Sequence, residues 1–211
     1  IALIYTTPWD NYLVASGIWT YGTGRVAESL LIGYVPVEEY MFFILQPIMT
    51  GSFFLLFAGR QPESVEVLKS SLKHGKVSLM GSAFFILLTL LGLACYWVFP
   101  ERFTYFGLIL SWACPVLAFQ WVYGGGTLWN CRKLLLASVQ APTLYLWVVD
   151  GIAISWRIWE ITPATSTQWK LFSLPFEEAL FFLLTNLLVV QGLILFFQWA
   201  YERKRKREDV R

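Results

Sequence analysis

The run Val77–Pro100, VSLMGSAFFILLTLLGLACYWVFP, contains no charged residue. It is long enough to cross a bilayer as a helix, which takes about 20 apolar residues. It also lacks the polar–apolar alternation of a lipid-facing barrel strand. Charge-free windows of the same kind cover 40–59, 103–131, 134–149 and 179–201. The expected fold is an all-α integral membrane protein with about six transmembrane helices: Ile1–Val14, Glu38–Gly59, Val77–Phe99, Phe103–Tyr123, Leu134–Ser155 and Glu177–Ala200. The first window is too short to span, so its helix is expected to begin before Ile1. With no initiator Met and no recognisable signal peptide, the numbering is expected to start inside a longer protein.

Composition points the same way. Of 211 residues, 57% are hydrophobic, 18% aromatic and only 14% charged, against roughly 25% charged in a soluble domain. Disorder is excluded, because it needs low hydrophobicity and high charge. A net charge of +2 gives no basic footprint, so no nucleic-acid partner is expected. Cys95, Cys114 and Cys131 are odd in number and lie in or beside apolar runs, which excludes a disulfide scaffold.

The basic residues set an orientation. Arg60, Lys69, Lys73, Lys76, Arg132, Lys133 and the six basic residues of the tail 201–211 fall on one side, and Arg25, Arg102, Arg157 and Lys170 on the other. The richer side, with the basic loops and the tail, is expected to be cytoplasmic. Loops 20–37 and 160–174 then share the far side with the turn near Glu101. The tail sequence ERKRKRED reads as a stop-transfer cluster, with anionic-lipid contact or the start of a linker as alternatives. His74, between Lys73 and Lys76, reads as a solvated loop residue. Gly124-Gly125-Gly126 reads as a flexible connection after a span. No Lys-Ser/Thr opens a helix behind it, so it is not a phosphate loop.

An internal repeat carries the functional signal. Asp10 is followed by Ile18-Trp19, and Asp150 by Ile158-Trp159, at an offset of 140. VPVEEYMFF (Val35–Phe43) matches LPFEEALFF (Leu174–Phe182) at an offset of 139. Both units run in the same direction, as two parallel repeats about an axis along the membrane normal. The chain reads as a single membrane domain, 1–211. Repeat one is 1–59, the linking helix is 77–99, and repeat two is 103–200. The span that precedes repeat two has no counterpart before repeat one, so the inferred parent has seven helices in a 3+1+3 arrangement.

Each Pro-x-Glu-Glu alone suits an ordinary helix start, with Pro at the first position and acids in the first turn. Its duplication, with a partner Asp on each preceding helix, favours function, because ionisable groups in or near the hydrocarbon are costly. The candidate acids are Asp10, Glu38, Glu39, Asp150, Glu177 and Glu178. Adjacent glutamates project about 100° apart on a helix, so the two of each pair cannot share one role. Glu39, Phe43, Gln46 and Thr50 share one helical face, and Glu178, Phe182 and Thr185 repeat it. Asn186 is an extra polar residue opposite Pro47. Two carboxylate clusters in an apolar chamber suit proton addition to an alkene and later proton removal. The faces of Trp19, Trp159, Phe43 and Phe182 would stabilise the intervening cation. Trp19 and Trp159 have the alternative reading of interfacial aromatics. Phe43, Phe182, Gln46 and Asn186 join them as candidate substrate-binding residues.

Several chemistries are missing from the sequence. There is no GxGxxG for a flavin or nicotinamide, no HExxH or Cys/His metal spacing, and no paired-Asp motif for a diphosphate. No cofactor and no metal are expected. The span Glu177–Ala200 contains no Lys for a retinal Schiff base, and the only His precludes a Ser-His-Asp set in the membrane.

TTPWDNYLV (Thr6–Val14), the two Ile-Trp pairs, GYVPVEEYMFF (Gly33–Phe43) and LPFEEALFFLLTN (Leu174–Asn186) resemble the membrane lycopene cyclase family. That family comprises single-chain archaeal and bacterial cyclases, two-subunit bacterial cyclases, and the cyclase domain of fungal bifunctional lycopene cyclase/phytoene synthases. The resemblance covers nearly the whole chain and is greatest to the fungal type. It implies lycopene as substrate, γ-carotene as intermediate and β-carotene as product, by cyclisation without net redox change. It implies acid/base roles for Glu38, Glu39, Glu177 and Glu178, with Asp10 and Asp150 at the family's Asp positions. It implies carotenoid and membrane lipid as partners and a phytoene synthase, fused or associated. Asp150 departs from the pattern, following Val-Val where Asp10 follows Pro-Trp. Alternatives are ε-type or long-chain carotenoid cyclisation, a proton-coupled transporter, and a carotenoid- or lipid-binding subunit.

Overall fold

The computed structural model describes residues 2–27, 30–69 and 75–208. Helices are α1 (Ala2–Ala15), α2 (Val37–Arg60), α3 (Pro62–Lys69), α4 (Gly75–Val98), α5 (Thr104–Asn130), α6 (Arg132–Ser155) and α7 (Phe176–Glu208). Helices α2, α4, α5, α6 and α7 are each long and apolar enough to cross a membrane. The protein is an all-α, multi-pass membrane protein. Their lipid-facing surfaces carry exposed Leu, Ile, Phe and Val, as a bilayer solvent permits. Helix α1, with 14 residues, rises only about 21 Å at 1.5 Å per residue. Helix α3 was not expected. His74 and Lys73 lie outside the described residues, as do the last residues of the tail, whose earlier part continues α7.

One end of the bundle carries short strands: β1 (Trp19–Tyr21), β2 (Leu31–Ile32), β3 (Val35–Pro36), β4 (Trp159–Ile161), β5 (Lys170–Leu171) and β6 (Leu174–Pro175). β2–β3 and β5–β6 are hairpins at equivalent places, pairing Leu31 with Pro36 and Lys170 with Pro175. β1 and β4 pair antiparallel, with Trp19 opposite Ile161 and Tyr21 opposite Trp159. This ribbon joins the two matched loops. The α4–α5 turn reaches the same end, where Arg102 donates to Thr167 O at 3.4 Å.

Matched backbone conformations run through both units. α1 closes with Ile18 N–H on Leu13 O and Gly17 N–H on Val14 O, and α6 with Ile158 N–H on Ala153 O and Arg157 N–H on Ile154 O. Both closures use the left-handed C′ residue that commonly ends a helix. It is Gly17 (φ 67°) in one unit and Arg157 (φ 54°) in the other. The hairpin turns likewise use Gly33 (φ 72°) and Phe172 (φ 58°).

Helix α4 packs on α5 through small residues, which let backbones approach closely. A Cβ on Gly92 would meet Gly107 O at 2.8 Å, and one on Gly107 would meet Gly92 O at 2.6 Å. The triglycine is not a connection, contrary to the sequence reading. It lies within α5, which kinks at Gly124. A Cβ on Gly125 would stand 2.7 Å from Ser78 Cα, so the stretch is apolar packing surface rather than loop. Two apolar clusters fill the bundle. One, at the strand end, includes Trp9, Trp19, Tyr105 and Phe181. The other, at the basic end, includes Phe54, Leu68, Leu128, Leu134 and Ile194.

Candidate active site

The two PxEE motifs start α2 and α7 directly behind hairpins β2–β3 and β5–β6. The outer glutamate of each pair turns back to its loop. Glu38 accepts the Ala27 N–H at 2.8 Å, and Glu177 accepts the Thr167 N–H at 2.6 Å. Ala27 and Thr167 occupy equivalent places in the repeat. Each bond satisfies a loop donor while holding a negative group at a helix N-terminus. The inner glutamates face the other way. Glu39 and Glu178 line a cavity of about 210 Å³, which Glu38 also lines, while Glu177 does not.

Asp150, on the inner side of α6, lines the same cavity. Asp10, fully buried on α1, stands close enough to Glu39 for a direct electrostatic interaction. Asp150 interacts in the same way with Glu39 and Glu178. The repeats therefore do not build two acid clusters, as the sequence suggested. They bring Asp10, Glu39, Asp150 and Glu178 together as one. Both Asp10 oxygens are buried without a hydrogen-bond partner, as is one oxygen of Asp150. Among the described residues, no group of three or more His, Cys, Asp or Glu is placed to hold a metal.

Aromatic rings wall the cavity. Trp19 and Trp159 pack with their rings tilted by 55°, 5.5 Å between centroids, brought together by the β1–β4 ribbon. Phe42 packs edge-on to Phe182 at 6.0 Å. Phe42, the neighbour of the expected Phe43, contributes the lining ring from α2. Phe43 is buried against Tyr40 and Phe42. Behind the site, Trp9 stacks on Trp112 at 4.6 Å and on Phe181 at 5.5 Å.

Gln46 and Asn186 sit deeper and bond to each other. Gln46 donates to Asn186 Oδ1 at 2.5 Å, Thr50 donates to the same oxygen at 2.6 Å, and Asn186 donates to Thr143 at 2.9 Å. This network ties α2, α6 and α7 together. On α2 the predicted face (Phe43, Gln46, Thr50) is the buried one. On α7 the face passes through Asn186 rather than Thr185, which is half-buried and donates to its own helix at Phe181 O, 2.9 Å.

Two tyrosines belong to the site without having been anticipated. Tyr105, fully buried on α5, donates its hydroxyl to Glu178 Oε1. It also meets Trp19 edge-on at 5.8 Å. Tyr21, at the ribbon, has a buried hydroxyl with no hydrogen-bond partner. Burial, reinforced by Glu39 and Asp10, pushes its phenol well above the usual range. No motif marks either residue among the 10 tyrosines of the chain.

The lycopene beta-cyclase of Halobacterium salinarum is 38% identical over 207 residues, covering 97% of this chain and 82% of that protein. The chain belongs to the lycopene beta-cyclase family. A bifunctional lycopene cyclase/phytoene synthase of Aspergillus oryzae is 38% identical over 196 residues, 92% of this chain and 32% of the fungal protein. That of Aspergillus niger is 37% identical over 195 residues. The family relationship thus extends to fungal proteins of which the chain spans about a third. No protein-family model matches the chain, and no solved structure does.

Proposed function

We propose that the chain is a carotenoid cyclase, an intramolecular isomerase that converts lycopene through γ-carotene to β-carotene. One observation carries the reading. Asp10, Glu39, Asp150 and Glu178, drawn from two repeats, meet at one aromatic-walled site in a membrane bundle. A carboxylic acid adds its proton to the terminal double bond of a linear end. The tertiary cation is attacked by the next double bond, which closes a six-membered ring. A carboxylate then removes a ring proton to leave the ring alkene. One proton is added and one is lost, so no redox cofactor is required. Trp19, Trp159, Phe42 and Phe182 offer ring faces to the cation.

The cavity, at about 210 Å³, is small against a long polyene. That suits one cyclising end, with the rest of the polyene in lipid. Both ends then react at the same site in separate visits. The reacting acids are the inner ones, Glu39 and Glu178, supported by Asp10 and Asp150, while Glu38 and Glu177 hold the loops. The strand end faces away from the cytoplasm and the basic end toward it, by the positive-inside rule. A phytoene synthase, fused or associated, is the partner that the fungal relatives' names suggest.

Expression in lycopene-accumulating cells, with pigment chromatography, tests the function. Glu39→Gln and Glu178→Gln should each lose β-carotene, by roughly a hundredfold or more for a general acid or base. Full β-carotene from both variants would remove the assignment. Persistent γ-carotene from one variant, with unchanged first closure, would point to two sites instead of one.

A further inference from the structure

The second repeat carries a groove that shares no lining residue with the acid cavity. It has a volume of about 310 Å³ and lies between α5 and α7, both helices of that repeat. Phe119, Gln120 and Tyr123 form the α5 wall, and Leu195, Phe196 and Trp199 the α7 wall. Phe119 and Phe196 are exposed, so the groove faces the lipid. Gln120 is engaged in the fold, donating its amide to Leu188 O at 3.1 Å. The α5 wall ends at Gly124, where the helix kinks, and a Cβ there would collide with Leu195. The rest of the lining is apolar apart from the Tyr123 hydroxyl, which has no hydrogen-bond partner among the described residues.

The groove ends where the apolar layer does. Helix α7 has 33 residues and rises about 50 Å at 1.5 Å per residue, whereas the hydrocarbon of a bilayer is about 30 Å thick. For a helix near the membrane normal, counted from Phe176, that layer is crossed about 20 residues on, near Phe196. Trp199 then stands at the interface, where tryptophan is favoured. Beyond it the same helical face turns cationic. Phe196, Trp199, Arg203, Lys206 and Arg207 fall at i, i+3, i+7, i+10 and i+11, one stripe of α7. Arg203 lies over the Trp199 ring, 5.2 Å from its centroid. All three cations are exposed, and none pairs with a carboxylate among the described residues. The neighbouring acids lie off the stripe and are engaged elsewhere. Glu202 accepts from Gln198 at 3.2 Å, and Glu208 pairs with Lys204 at 3.8 Å.

An apolar groove that runs out under unpaired cations is complementary to a molecule with a hydrocarbon chain and an anionic head. We propose that this groove binds one anionic glycerophospholipid, with an acyl chain between α5 and α7 and its phosphate against Arg203, Lys206 and Arg207. Arg203 meets the phosphate with paired N–H donors, and the Trp199 face steadies the guanidinium. Tyr123, on the opposite wall, supplies a hydroxyl donor. The stripe, rather than the total charge of the tail, makes the site, because Lys204 and Arg205 project from other faces of the helix. The bound lipid bridges α5 and α7 at the ends away from the Tyr105–Glu178 bond, so it braces the pair from the basic side.

The site is independent of the cyclase reading, since binding is measured without a carotenoid. The full chain, purified in a neutral detergent, is titrated with palmitoyl-oleoyl phosphatidylglycerol or with the phosphatidylcholine of the same chains. Native mass spectrometry counts the bound lipid, and tryptophan fluorescence follows thermal unfolding. The parent should take up one phosphatidylglycerol roughly tenfold more tightly than phosphatidylcholine, with a higher melting temperature in phosphatidylglycerol alone. Arg203→Gln combined with Lys206→Gln should weaken that binding by roughly tenfold or more. Lys204→Gln combined with Arg205→Gln makes the same change in net charge off the stripe, and should weaken it by less than about twofold. Phe196→Ala, which removes part of the groove wall and keeps every cation, should weaken it by about threefold or more. All these substitutions are at exposed positions, and the melting temperature without lipid checks that each variant is folded. Equal losses from the two charge pairs would mean diffuse attraction to the tail. Phosphatidylcholine bound as tightly as phosphatidylglycerol would mean a groove for any lipid. A dimer that excludes lipid would mean a second copy of the chain on this face. Each of these results overturns the proposal, as does a parent chain that retains no lipid.

Discussion

Replacing Glu177 separates loop-holding from chemistry, because its neighbour Glu178 is the proposed reacting group. Glu177 is fully buried and accepts the N–H of Thr167, itself fully buried, at 2.6 Å. Glu177→Ala removes the acceptor and leaves that N–H without water or protein to bond. An orphaned buried donor costs about 1–3 kcal/mol. Taking about 2 kcal/mol, the melting temperature of a chain this size should fall by roughly 4–8 °C. Glu177→Gln keeps the Oε1 acceptor and should stay within about 2 °C of the parent. The matched bond in the first repeat lies at the surface, where water replaces it. Glu38→Ala should therefore cost about 0.5 kcal/mol, near the lower limit for a net hydrogen bond. Thermal unfolding of purified protein in detergent, followed by tryptophan fluorescence, gives the three shifts. Pigment yield per folded molecule gives the activity, which should remain near parental in Glu177→Gln and collapse in Glu178→Gln. Loss of ring formation in Glu177→Gln with an unchanged melting temperature would refute the reasoning, because the outer acid would then be reacting.

Other expected outcomes follow from packing and backbone geometry. Gly107→Ala places a Cβ 2.6 Å from Gly92 O, so α4 and α5 must separate; overpacking costs about 1–3 kcal/mol, read as a lower melting temperature. Asn186→Leu strands the Gln46 amide on α2 and Thr143 on α6, while Thr50 keeps Gln46 O as acceptor at 2.9 Å, and should destabilise by about 2 kcal/mol, whereas Thr185→Val should cost well under half of that. Phe172→Gly relaxes a left-handed residue in a two-residue turn (φ 58°) that is almost wholly exposed, and should raise stability by about 1 kcal/mol, whereas Gly33→Ala should lower it.

Long charge-free windows announced the helices because lipid imposes a requirement on every residue of a span. The duplicated Asp and PxEE announced the site because carboxyl groups are conspicuous in an apolar chain. Periodicity also found the buried face of α2. It stopped at Glu38 and Glu39: a 100° separation says that two neighbours differ, but not which one meets the loop. That depends on the Ala27 N–H, in a loop whose course a helical period does not describe. Tyr105 was illegible because its partner lies 73 residues away and apolar spans hold tyrosines for many reasons. The triglycine misled because glycine marks a loop in water, whereas between membrane helices it marks close approach.

The β1–β4 ribbon has a consequence for how activity is acquired. Each repeat contributes one aspartate, one inner glutamate and one tryptophan, and the ribbon is the seam that presses the two tryptophans together. Neither repeat holds a complete set. On the proposed reading, ring formation is then a logical conjunction of two pieces, neither sufficient alone, and pigment colour becomes a readout of their registration. A single-residue slip at that seam would leave both pieces folded and the cell red.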